Sequence, residues 1–583
     1  MNHSYPVYTV ENECHDCYKC IRHCPAKAIR LKDGSASVIP ELCVACGYCV
    51  KICPAGAKRI RDDLSRAKFL LTRKNKVYVS LAPSWRSTFP HLSMGQMADA
   101  LRKLGFAGVS ETALGAQEVS ARTARIMKDG NPGIYLSSAC PAAVDFIRKY
   151  IPEHAANIIP VTSPALTHAR QLRQLYGNEI GIIFIGPCAA KKQEADRHPE
   201  LLDLALTFTV LSQWLEENGI DPAAGNGDGA TFVPTPAEEG KIYAIEGGMA
   251  DTVRDPAATD CCYLTISGLS NLDQILGGKV PDTAGKKVFI ECLACDGGCI
   301  NGPGMPQGGG KLEDIIRIAA ECPGHHSSLD RQAEVLPPEP FPAAPVSDPA
   351  PSEAAIKAAL AAVGKYTVAD ELNCGGCGYQ TCRGFAQAVI SGKAEASMCL
   401  SHLRKLAQKK SNALIKYIPA GVVIFDRQLN IIECNRRFAE LFDDSTVLAY
   451  EARPGMSGVD LRPMVPFAEL FDACLTTGGE ITRENYLVHD RILDISIFTV
   501  EPHQIAGAVI QDVTQAELHR EQIAQKAREV IQKNITTVQR IANYLGEHMA
   551  ETEILLREVA SGYQNPKPKP KVKVLKGADD DRQ

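Results

Sequence analysis

The spacing of the cysteines constrains this chain more than any other feature of its sequence. The run C-x-x-C-x-x-C-x-x-x-C-P occurs twice within the first 54 residues. In runs of this type, three closely spaced thiolates bind one [4Fe–4S] cluster and the fourth binds the other cluster of the pair. We therefore expect one cluster on Cys14, Cys17, Cys20 and Cys53, and a second on Cys24, Cys43, Cys46 and Cys49. A zinc ribbon is the alternative, but two complete runs that both end in Cys-Pro favour clusters that relay electrons.

The cysteine content of the whole chain indicates the same chemistry. There are 22 cysteines in 583 residues, and the start MNHSYPVYTVENEC lacks the features of a secretory signal. Disulfides are rare in a reducing cytoplasm, so clustered cysteines there indicate metal. The net charge of −5 gives no electrostatic basis for binding nucleic acid or an anionic membrane. No stretch approaches the roughly 20 apolar residues of a membrane span. We expect a cytoplasmic protein of an anaerobe.

Apolar runs, turn-rich segments and charge predict a multidomain α/β protein. The predicted order is a ferredoxin-like domain with two [4Fe–4S] clusters at 1–62, an α/β domain at 63–335, a Pro-rich linker at 336–352, a small four-Cys domain at 353–408, an α+β domain at 409–515, a coiled-coil helix at 516–560 and a disordered tail at 561–583.

A second block of cysteines follows the linker. It reads LNCGGCGYQTCRGFAQAVISGKAEASMCL, and its cysteines are Cys374, Cys377, Cys382 and Cys399. The glycines allow the backbone to wrap closely around a cluster. The block resembles the four-Cys [4Fe–4S] domain of corrinoid iron–sulfur proteins and of Rnf-type electron-transport subunits, which implies a third cluster. Zinc is the weaker alternative, because the wide last spacing and the glycines fit the cluster domain better.

Three motifs lie in order between residues 137 and 304. They are SSACP at 137–141, PCAAKKQE at 187–194 and ECLACDGGCING at 291–302. Together they resemble the T-S-C-C-P, P-C-x-x-K-x-x-E and E-x-M-x-C-x-x-G-C-x-x-G signatures of [FeFe]-hydrogenases. This resemblance implies an α/β domain with an H-cluster, in which a [4Fe–4S] cubane is joined to a diiron unit that carries CO, cyanide and an azadithiolate.

The resemblance assigns roles to residues by motif position. The cubane ligands would be Cys140, Cys188, Cys295 and Cys299, and Cys299 would also hold the diiron unit. Lys191 would donate hydrogen bonds to a cyanide of that unit, and Glu194 would support Lys191. The protein would orient and tune a cofactor that itself carries out the hydrogen chemistry.

The departures from the family pattern also bear on function. Catalytic members place a proton-relay cysteine directly before the first ligand, whereas this chain has Ala139 there. The E-x-x-E relay motif is reduced to Glu118, and Gly186 and Leu293 stand where the family has methionine. Loss of one acid–base step costs typically ~10²–10⁴-fold in rate, so we expect slow turnover.

The C-terminal third suggests signalling. Residues 409–515 resemble a PAS domain, which either binds a small ligand or only transmits strain into a following helix. A heptad seam then runs through Ile531, Ile535, Val538, Ala542, Leu545, Met549, Thr552, Leu556 and Val559. We interpret this seam as a homodimerisation helix, and packing of the helix on its own domain is the alternative. Six cysteines outside the runs are expected to be buried structural thiols: Cys261, Cys262, Cys292, Cys322, Cys434 and Cys474.

Three functions fit these observations. The first is a sensory [FeFe]-hydrogenase that reacts slowly with H2 and protons, exchanges electrons with a partner such as ferredoxin, and signals to a separate phosphatase or kinase. The second is a metabolic, ferredoxin-linked hydrogenase that its PAS domain regulates. The third is a non-catalytic iron–sulfur carrier or scaffold. We favour the first because a nearly complete ligand set is joined to a PAS domain while the relay position is Ala139.

Overall fold

The computed structural model describes residues 5–32, 34–225, 227, 231–278, 282–306, 310–322, 331, 338–346, 351–545 and 556–560. The chain divides into two compact units, residues 1–402 and 403–583, and each is treated by itself. The chain has the multidomain α/β architecture expected from the sequence, with cysteine-rich, layered α/β and α+β parts.

The N-terminal domain is built around the two cysteine runs. Its elements are β1 (Val7–Thr9), α1 (Lys19–His23), β2 (Ile29–Lys32), β3 (Ser35–Val38), α2 (Tyr48–Ile52) and β4 (Lys58–Ile60). The strand β1 pairs antiparallel with β4, and β2 pairs antiparallel with β3. Each short helix follows the first thiols of its run and ends at Cys24 or Cys53, so the two halves repeat one plan.

The second domain is a layered α/β structure. Its elements are α3 (Leu64–Arg73), β5 (Val77–Leu81), α4 (Trp85–Thr88), α5 (Met94–Lys103), β6 (Gly108–Glu111), α6 (Ala113–Asp129), β7 (Gly133–Leu136), α7 (Pro141–Tyr150), α8 (Pro164–Tyr176), β8 (Gly181–Gly186), α9 (Ala190–Arg197), β9 (Leu204–Thr207), α10 (Phe208–Glu217), α11 (Gly248–Val253), β10 (Cys261–Ser267), α12 (Leu269–Leu276), β11 (Lys287–Leu293) and α13 (Leu312–Ala320).

Two parallel sheets organise this domain. One has the strand order β6-β5-β8-β9 and the other β10-β11-β7. The strands β5 and β8 are buried along their whole length, as expected for continuous apolar runs covered by helices on both faces. The carboxyl ends of parallel strands lie at one edge of a sheet, which is where such folds usually bind their ligands.

Part of the Pro-rich linker is held against the second domain. Residues 338–346 contain no helix or strand. The Pro342 carbonyl accepts from Arg148 Nε at 2.8 Å, and the amides of Ala344 and Val346 donate to carbonyls at the end of α7. Over these residues, the predicted linker is bound to the surface of the second domain.

The four-Cys domain packs on the ferredoxin-like domain. Its helices are α14 (Glu353–Ala362), α15 (Cys382–Ile390) and α16 (Leu400–Tyr417), the last of which continues into the second unit. Phe385 and Met398 of this domain share one buried apolar cluster with Ile21, Ile29 and Leu31 of the ferredoxin-like domain. The two cysteine-rich domains, more than 300 residues apart in sequence, therefore have a common core.

The second unit has a five-stranded antiparallel sheet with the strand order β13-β12-β16-β15-β14. Its elements are β12 (Gly421–Asp426), β13 (Ile431–Cys434), α17 (Arg436–Glu440), α18 (Asp444–Ala452), α19 (Ala468–Thr477), β14 (Ile481–Val488), β15 (Arg491–Glu501), β16 (Ile505–Asp512) and α20 (Thr514–Leu545). Asn435 caps α17, since its side-chain oxygen accepts from Phe438 N and Val422 N. Aromatic rings fill the core, with the Phe425 and Phe471 centroids 4.6 Å apart.

The helix predicted over 516–560 begins at Thr514 and continues to Leu545, and residues 556–560 are also helical. Ile531, Ile535 and Val538 of the predicted seam are partly exposed, whereas most of the residues between them are exposed. Residues 546–555, and the tail 561–583, lie outside the described residues. Homodimerisation through this helix therefore stays a prediction.

The six cysteines outside the runs do not all behave as expected. Cys292, Cys322, Cys434 and Cys474 are buried. The prediction was wrong for Cys261 and Cys262, which are only half-buried. They begin β10, which lies at one edge of its sheet, and no strand of the described residues covers them on that side.

Candidate metal centre

The structure groups the three predicted cluster-ligand sets around three separate small cavities. Each cavity is lined by four thiols: Cys14, Cys17, Cys20 and Cys53 in the first, Cys24, Cys43, Cys46 and Cys49 in the second, and Cys374, Cys377, Cys382 and Cys399 in the third. In the first two cavities, the fourth cysteine comes from the other run. Among the described residues, no three His, Cys, Asp or Glu side chains converge closely enough to hold a single metal ion. The exchange of the fourth cysteine between the two runs is the ligand pattern of paired [4Fe–4S] clusters.

A larger cavity of about 90 Å³ lies in the second domain, compared with about 10 to 20 Å³ for the thiol-lined cavities. Its wall is formed where five parallel strands end. Ala82 to Ser84 follow β5, Thr112 follows β6, Ala139 follows β7, Pro187 follows β8, and Leu293 ends β11. The two sheets thus direct their carboxyl ends at one space.

The four predicted H-cluster ligands meet beside this cavity. Cys140, Cys188 and Cys299 line it directly. Cys295 lies against them, since burial and the thiols of Cys188, Cys140 and Cys299 all raise its pKa well above the usual value. Burial likewise raises the pKa of Cys188 to about 11. Thiols buried together in this way ionise only if a cation compensates their charge, and bound iron would supply it.

Two helix N-termini face the same group. Cys140 directly precedes Pro141, the first residue of α7, and proline is well suited to this position because its missing N–H would be unpaired there anyway. Cys188 lies two residues before the first residue of α9. The positive ends of these helices favour anionic ligands and an anionic cluster.

Lys191 occupies the cavity wall with its charge held in place. Its Nζ donates to Glu194 Oε2 and to Ser163 Oγ, both at 2.7 Å, and all three residues are buried. Lys191 and Glu194 are three residues apart on α9, so they lie on one face of the helix. Ser163 caps α8. Lysine has three donors, and the described residues provide acceptors for two of them, which leaves one ammonium N–H for a group in the cavity.

The acid–base residues differ from the sequence expectation. Ala139 lines the cavity, as does the carboxylic acid Glu291. Glu118 is buried on α6 but is not among the residues that form the described cavity wall, to which α6 contributes Ala116. Burial raises the pKa of Glu291 to about 7, against hydrogen bonds from Ala250 N and Met249 N that lower it. Glu291 can therefore exchange a proton near neutral pH.

The absent methionines have different structural consequences. Leu293 lines the cavity at one of the two positions. At the other, a Cβ on Gly186 would lie 2.5 Å from Cζ of Phe184 and 2.8 Å from Cβ of Ala82. The ring of Phe184, which also lines the cavity, takes up the space that a side chain at 186 would need.

Two observations test whether the residues fit a diiron unit with cyanide ligands. Ser84 lines the cavity, and its Oγ is buried and has no hydrogen-bond partner among the described residues. Such an orphaned donor requires an acceptor. Together with the spare donor of Lys191, it gives two donors for anionic diatomic ligands beside Cys299, so the residues fit the group.

Several residues of the wall were not expected from the sequence, including Ser84, Tyr243 and Glu291. Glu291 stands inside a motif and could have been found there. Tyr243 OH is hydrogen-bonded to Ser120 Oγ at 2.8 Å, from a segment with no recognisable motif. Only the fold brings that segment to the cavity.

Comparisons with known families cover four regions of the chain. Residues 75–303 match the model described as iron only hydrogenase large subunit, C-terminal domain. Residues 6–54 match a 4Fe-4S dicluster domain, residues 370–401 match the Fe-S cluster model named FeS, and residues 409–483 match a PAS domain. Among the helices of the described residues, none has the length and hydropathy that crossing a bilayer requires.

The individual relatives share only 20% to 28% sequence identity with this chain. Iron hydrogenase 1 of Clostridium pasteurianum is 28% identical over 304 residues, which cover 42% of this chain and 52% of that protein. The chain thus spans about half the length of this relative. The periplasmic [Fe] hydrogenase large subunit of Nitratidesulfovibrio vulgaris is 28% identical over 372 residues, which cover 53% of this chain and 88% of that protein. The solved structure of the [FeFe]-hydrogenase HydA1 from Chlamydomonas reinhardtii is 20% identical, covers 46% of this chain and 92% of its own, and gives a TM-score of 0.37.

Proposed function

We propose that this chain is a sensory [FeFe]-hydrogenase, since residues 75–303 match the model of the iron only hydrogenase large subunit, C-terminal domain. It interconverts H2 with two protons and two electrons slowly, and it reports this reaction to a separate signalling protein. One observation carries the proposal. Ala139, which can neither donate nor accept a proton, lines the cavity beside Cys299 and Lys191, and the same chain carries a PAS domain.

The cofactor assignment follows from the thiol groups. Cys140, Cys188, Cys295 and Cys299 would hold an H-cluster, and the three cavities lined by four thiols would each hold a [4Fe–4S] cluster. When bound, the H-cluster supplies the site at which H2 is split or formed. Lys191 and Ser84 would orient its cyanide ligands by hydrogen bonds, and the buried ion pair with Glu194 would keep Lys191 in that position.

Proton exchange at this site depends on the side chains of the cavity wall. A cysteine at position 139 would bring an acid–base group next to the reacting atoms, and Ala139 removes it. Glu291 is the carboxyl group in the described wall, and its pKa of about 7 lets it hold or release a proton at neutral pH. Slow proton transfer through Glu291 accounts for slow turnover in this proposal.

Electrons would leave through the ferredoxin-like domain. Cys46 of the second cluster site packs against the same small buried apolar cluster as Cys140 and Cys188 of the H-cluster site. This shared packing supports an arrangement in which the two sites are neighbours. The cluster on Cys24, Cys43, Cys46 and Cys49 is therefore the first electron acceptor in the proposal, and a ferredoxin is the suitable external carrier.

The signalling half of the proposal rests on the PAS domain and α20. The described core of that domain is filled by aromatic rings, as suits a relay domain. A long helix leaves the sheet at Thr514. We propose that the chain forms a homodimer through this helix and acts on a phosphatase or kinase in the cytoplasm.

Infrared spectroscopy of the full chain, matured with the diiron unit, tests the proposal. Under argon we expect carbonyl and cyanide bands, and under H2 a change in their positions, together with low hydrogen turnover. Absence of the bands, with iron content that matches [4Fe–4S] clusters only, would instead indicate a carrier or scaffold. Turnover as fast as that of a metabolic hydrogenase would contradict the sensory role.

A further inference from the structure

Lys27 lies between two cluster sites that belong to different domains. Its Nζ donates to the Arg22 carbonyl at 2.9 Å and to the Gly378 carbonyl, and it lies 5.3 Å from the centre of the Tyr379 ring. Its backbone N donates to the Cys24 carbonyl at 3.2 Å, and Tyr379 lines the third cavity. Burial lowers the pKa of the Lys27 ammonium, and the thiols of Cys24 and Cys377 act to raise it. Cys24 lines the second cavity and Cys377 lines the third. One cation therefore faces two thiol-lined sites.

The internal repeat provides a comparison for this position. The segments that follow the last cysteine of each run read CPAKAI and CPAGAK, so Lys27 corresponds to Gly56. Both residues have left-handed backbone conformations, with φ values of 44° and 66°. Glycine adopts this conformation without strain, whereas lysine does not. The backbone at Lys27 is therefore strained, whereas the backbone at Gly56, the equivalent residue of the second run, is not.

The contact between the two domains holds this charge in a fixed place. Gly378 has a φ of +89°, and a Cβ there would overlap with Cα of Arg22. The backbones of the two domains therefore approach within contact distance beside Lys27. Tyr379 packs over the same region, and its hydroxyl is buried without a partner among the described residues. A charge in this partly dehydrated junction acts more strongly on its neighbours than one in water.

We propose that Lys27 is a positioning residue that raises the reduction potentials of the second and third clusters together and makes their junction the electron path between them. The proposal rests on the proposed assignment of [4Fe–4S] clusters to these two thiol sets. A reduced cluster carries one more negative charge than an oxidised one, and a fixed cation stabilises it.

The electron transfer step at this junction is simple. The reduced cluster on Cys24, Cys43, Cys46 and Cys49 gives one electron to the oxidised cluster on Cys374, Cys377, Cys382 and Cys399. The first is oxidised, the second is reduced, and no bond or proton moves. Oxidation of H2 at the H-cluster site supplies two electrons and releases two protons. The third cluster, at the start of α16, then receives electrons directly from the second.

Redox titration of the full chain, followed by electron paramagnetic resonance of its reconstituted clusters, tests this role. Lys27→Gly copies the second repeat, suits the backbone and removes the charge. We expect it to shift the ratio of reduced to oxidised cluster about tenfold at both sites, a fall of about 59 mV for a one-electron couple. Lys27→Arg keeps the charge and should restore both potentials. Lys19→Gln, an exposed lysine on α1, is the matched control and should change neither.

Other outcomes would overturn the proposal. In Lys27→Gly, a shift of only one of the two potentials, or no shift with all clusters present, would contradict it. An equal shift in the potential of the cluster on Cys14, Cys17, Cys20 and Cys53 would contradict it as well. So would failure of Lys27→Arg to restore the two potentials. Absence of a third cluster from the wild-type chain, shown by iron content and by its spectrum, would also overturn it. Missing carbonyl and cyanide bands would contradict the hydrogenase function alone, because this titration needs only the [4Fe–4S] clusters.

Discussion

Lys192 Nζ lies 2.9 Å from Asp63 Oδ2, and neither side chain is exposed to solvent. Lys192 also donates to the Ala205 carbonyl at 2.7 Å. Burial lowers the pKa of Lys192; it would raise the pKa of Asp63, but the ammonium of Lys192 holds that pKa below its usual value. Its neighbour Lys191 faces the metal centre. Adjacent lysines on α9 thus serve two purposes, one at the cavity and one where the chain passes from the first domain to the second.

Lys192→Met should destabilise the chain, because buried Asp63 would lose its ammonium partner while keeping the guanidinium groups of Arg61 and Arg66. Loss of one member of an isolated buried pair typically costs about 3–5 kcal/mol, and the two remaining partners should hold the cost below that range. Urea unfolding of the full chain measures the effect. Glu13→Gln, in the exposed pair with Arg59, is the control and should cost no more than about 1 kcal/mol. Equal effects of the two substitutions would contradict the structural role of Lys192.

Ala139→Cys should raise hydrogen turnover by about 10²–10⁴-fold, because it returns an acid–base group to the cavity wall. Hydrogen evolution by the matured protein measures the rate. Ala139→Ser is of similar size but far less acidic, and it should change the rate little. An unchanged rate in Ala139→Cys would show that proton transfer at position 139 does not limit turnover.

Glu291→Gln should reduce turnover further in the Ala139 background, because it removes the titratable carboxyl of the described wall. The same substitution combined with Ala139→Cys should have a smaller effect, since protons then have a second route. The comparison of these four variants gives a coupling energy between the two positions. Additive effects would argue against two alternative proton routes at this site.

Cys24→Ser should affect the cluster on Cys43, Cys46 and Cys49, and Cys53→Ser the cluster on Cys14, Cys17 and Cys20. The reason is that each cavity takes its fourth thiol from the other run. Electron paramagnetic resonance of the reduced single variants distinguishes the two sites. If Cys24→Ser instead affected the cluster on Cys14, Cys17 and Cys20, and Cys53→Ser the cluster on Cys43, Cys46 and Cys49, the two runs would not exchange their fourth ligands.

His168 should make the stability of the chain sensitive to acid. It is buried, its Nδ1 and Nε2 lie 2.8 Å from Ser80 Oγ and Ser110 Oγ, and burial lowers its pKa to about 3. The unfolded state takes up a proton below pH 6.5, and the folded state does so only near pH 3. The contribution of His168 to the free energy of unfolding is therefore complete above pH 6.5. It falls by about 1.4 kcal/mol per pH unit as the pH drops from 6.5 towards 3.

Urea unfolding at pH 7 and pH 5 tests this expectation. Between these values the wild type should lose about 2 kcal/mol more than His168→Gln, which cannot be protonated in this range. Other titrating groups contribute equally to both proteins, so the difference isolates His168. Equal losses in the two proteins would indicate that His168 is protonated in the folded state.

Ile535→Asp should convert a dimer of the full chain into a monomer, because it places a charge in the predicted seam of α20. Light scattering measures the mass. Gln532→Asp changes an exposed position of the same helix and should leave the dimer intact. A wild-type monomer at micromolar concentration would contradict the predicted dimer.

Local spacing in the sequence was sufficient to predict the cysteine groups. Three thiols in a C-x-x-C-x-x-C run lie within seven residues, so a compact loop followed by one helical turn can bring all three to one cluster. The domain types were predictable for a similar reason, since each has its motif within a short stretch. Lys191 and Glu194 could be paired because residues three apart on a helix share a face.

The tertiary structure decided the relationships between distant segments. Ser84, Ala139, Tyr243 and Glu291 meet only because parallel strands of two sheets end at one cavity. Lys27 and Gly378 are 351 residues apart and make contact because the two cysteine-rich domains share a hydrophobic core. Such contacts depend on packing over the whole chain, and no local pattern encodes them. The sequence by itself determined which thiols are available for metal, and the fold decided which side chains surround the reactive site and where a fixed charge lies between two clusters.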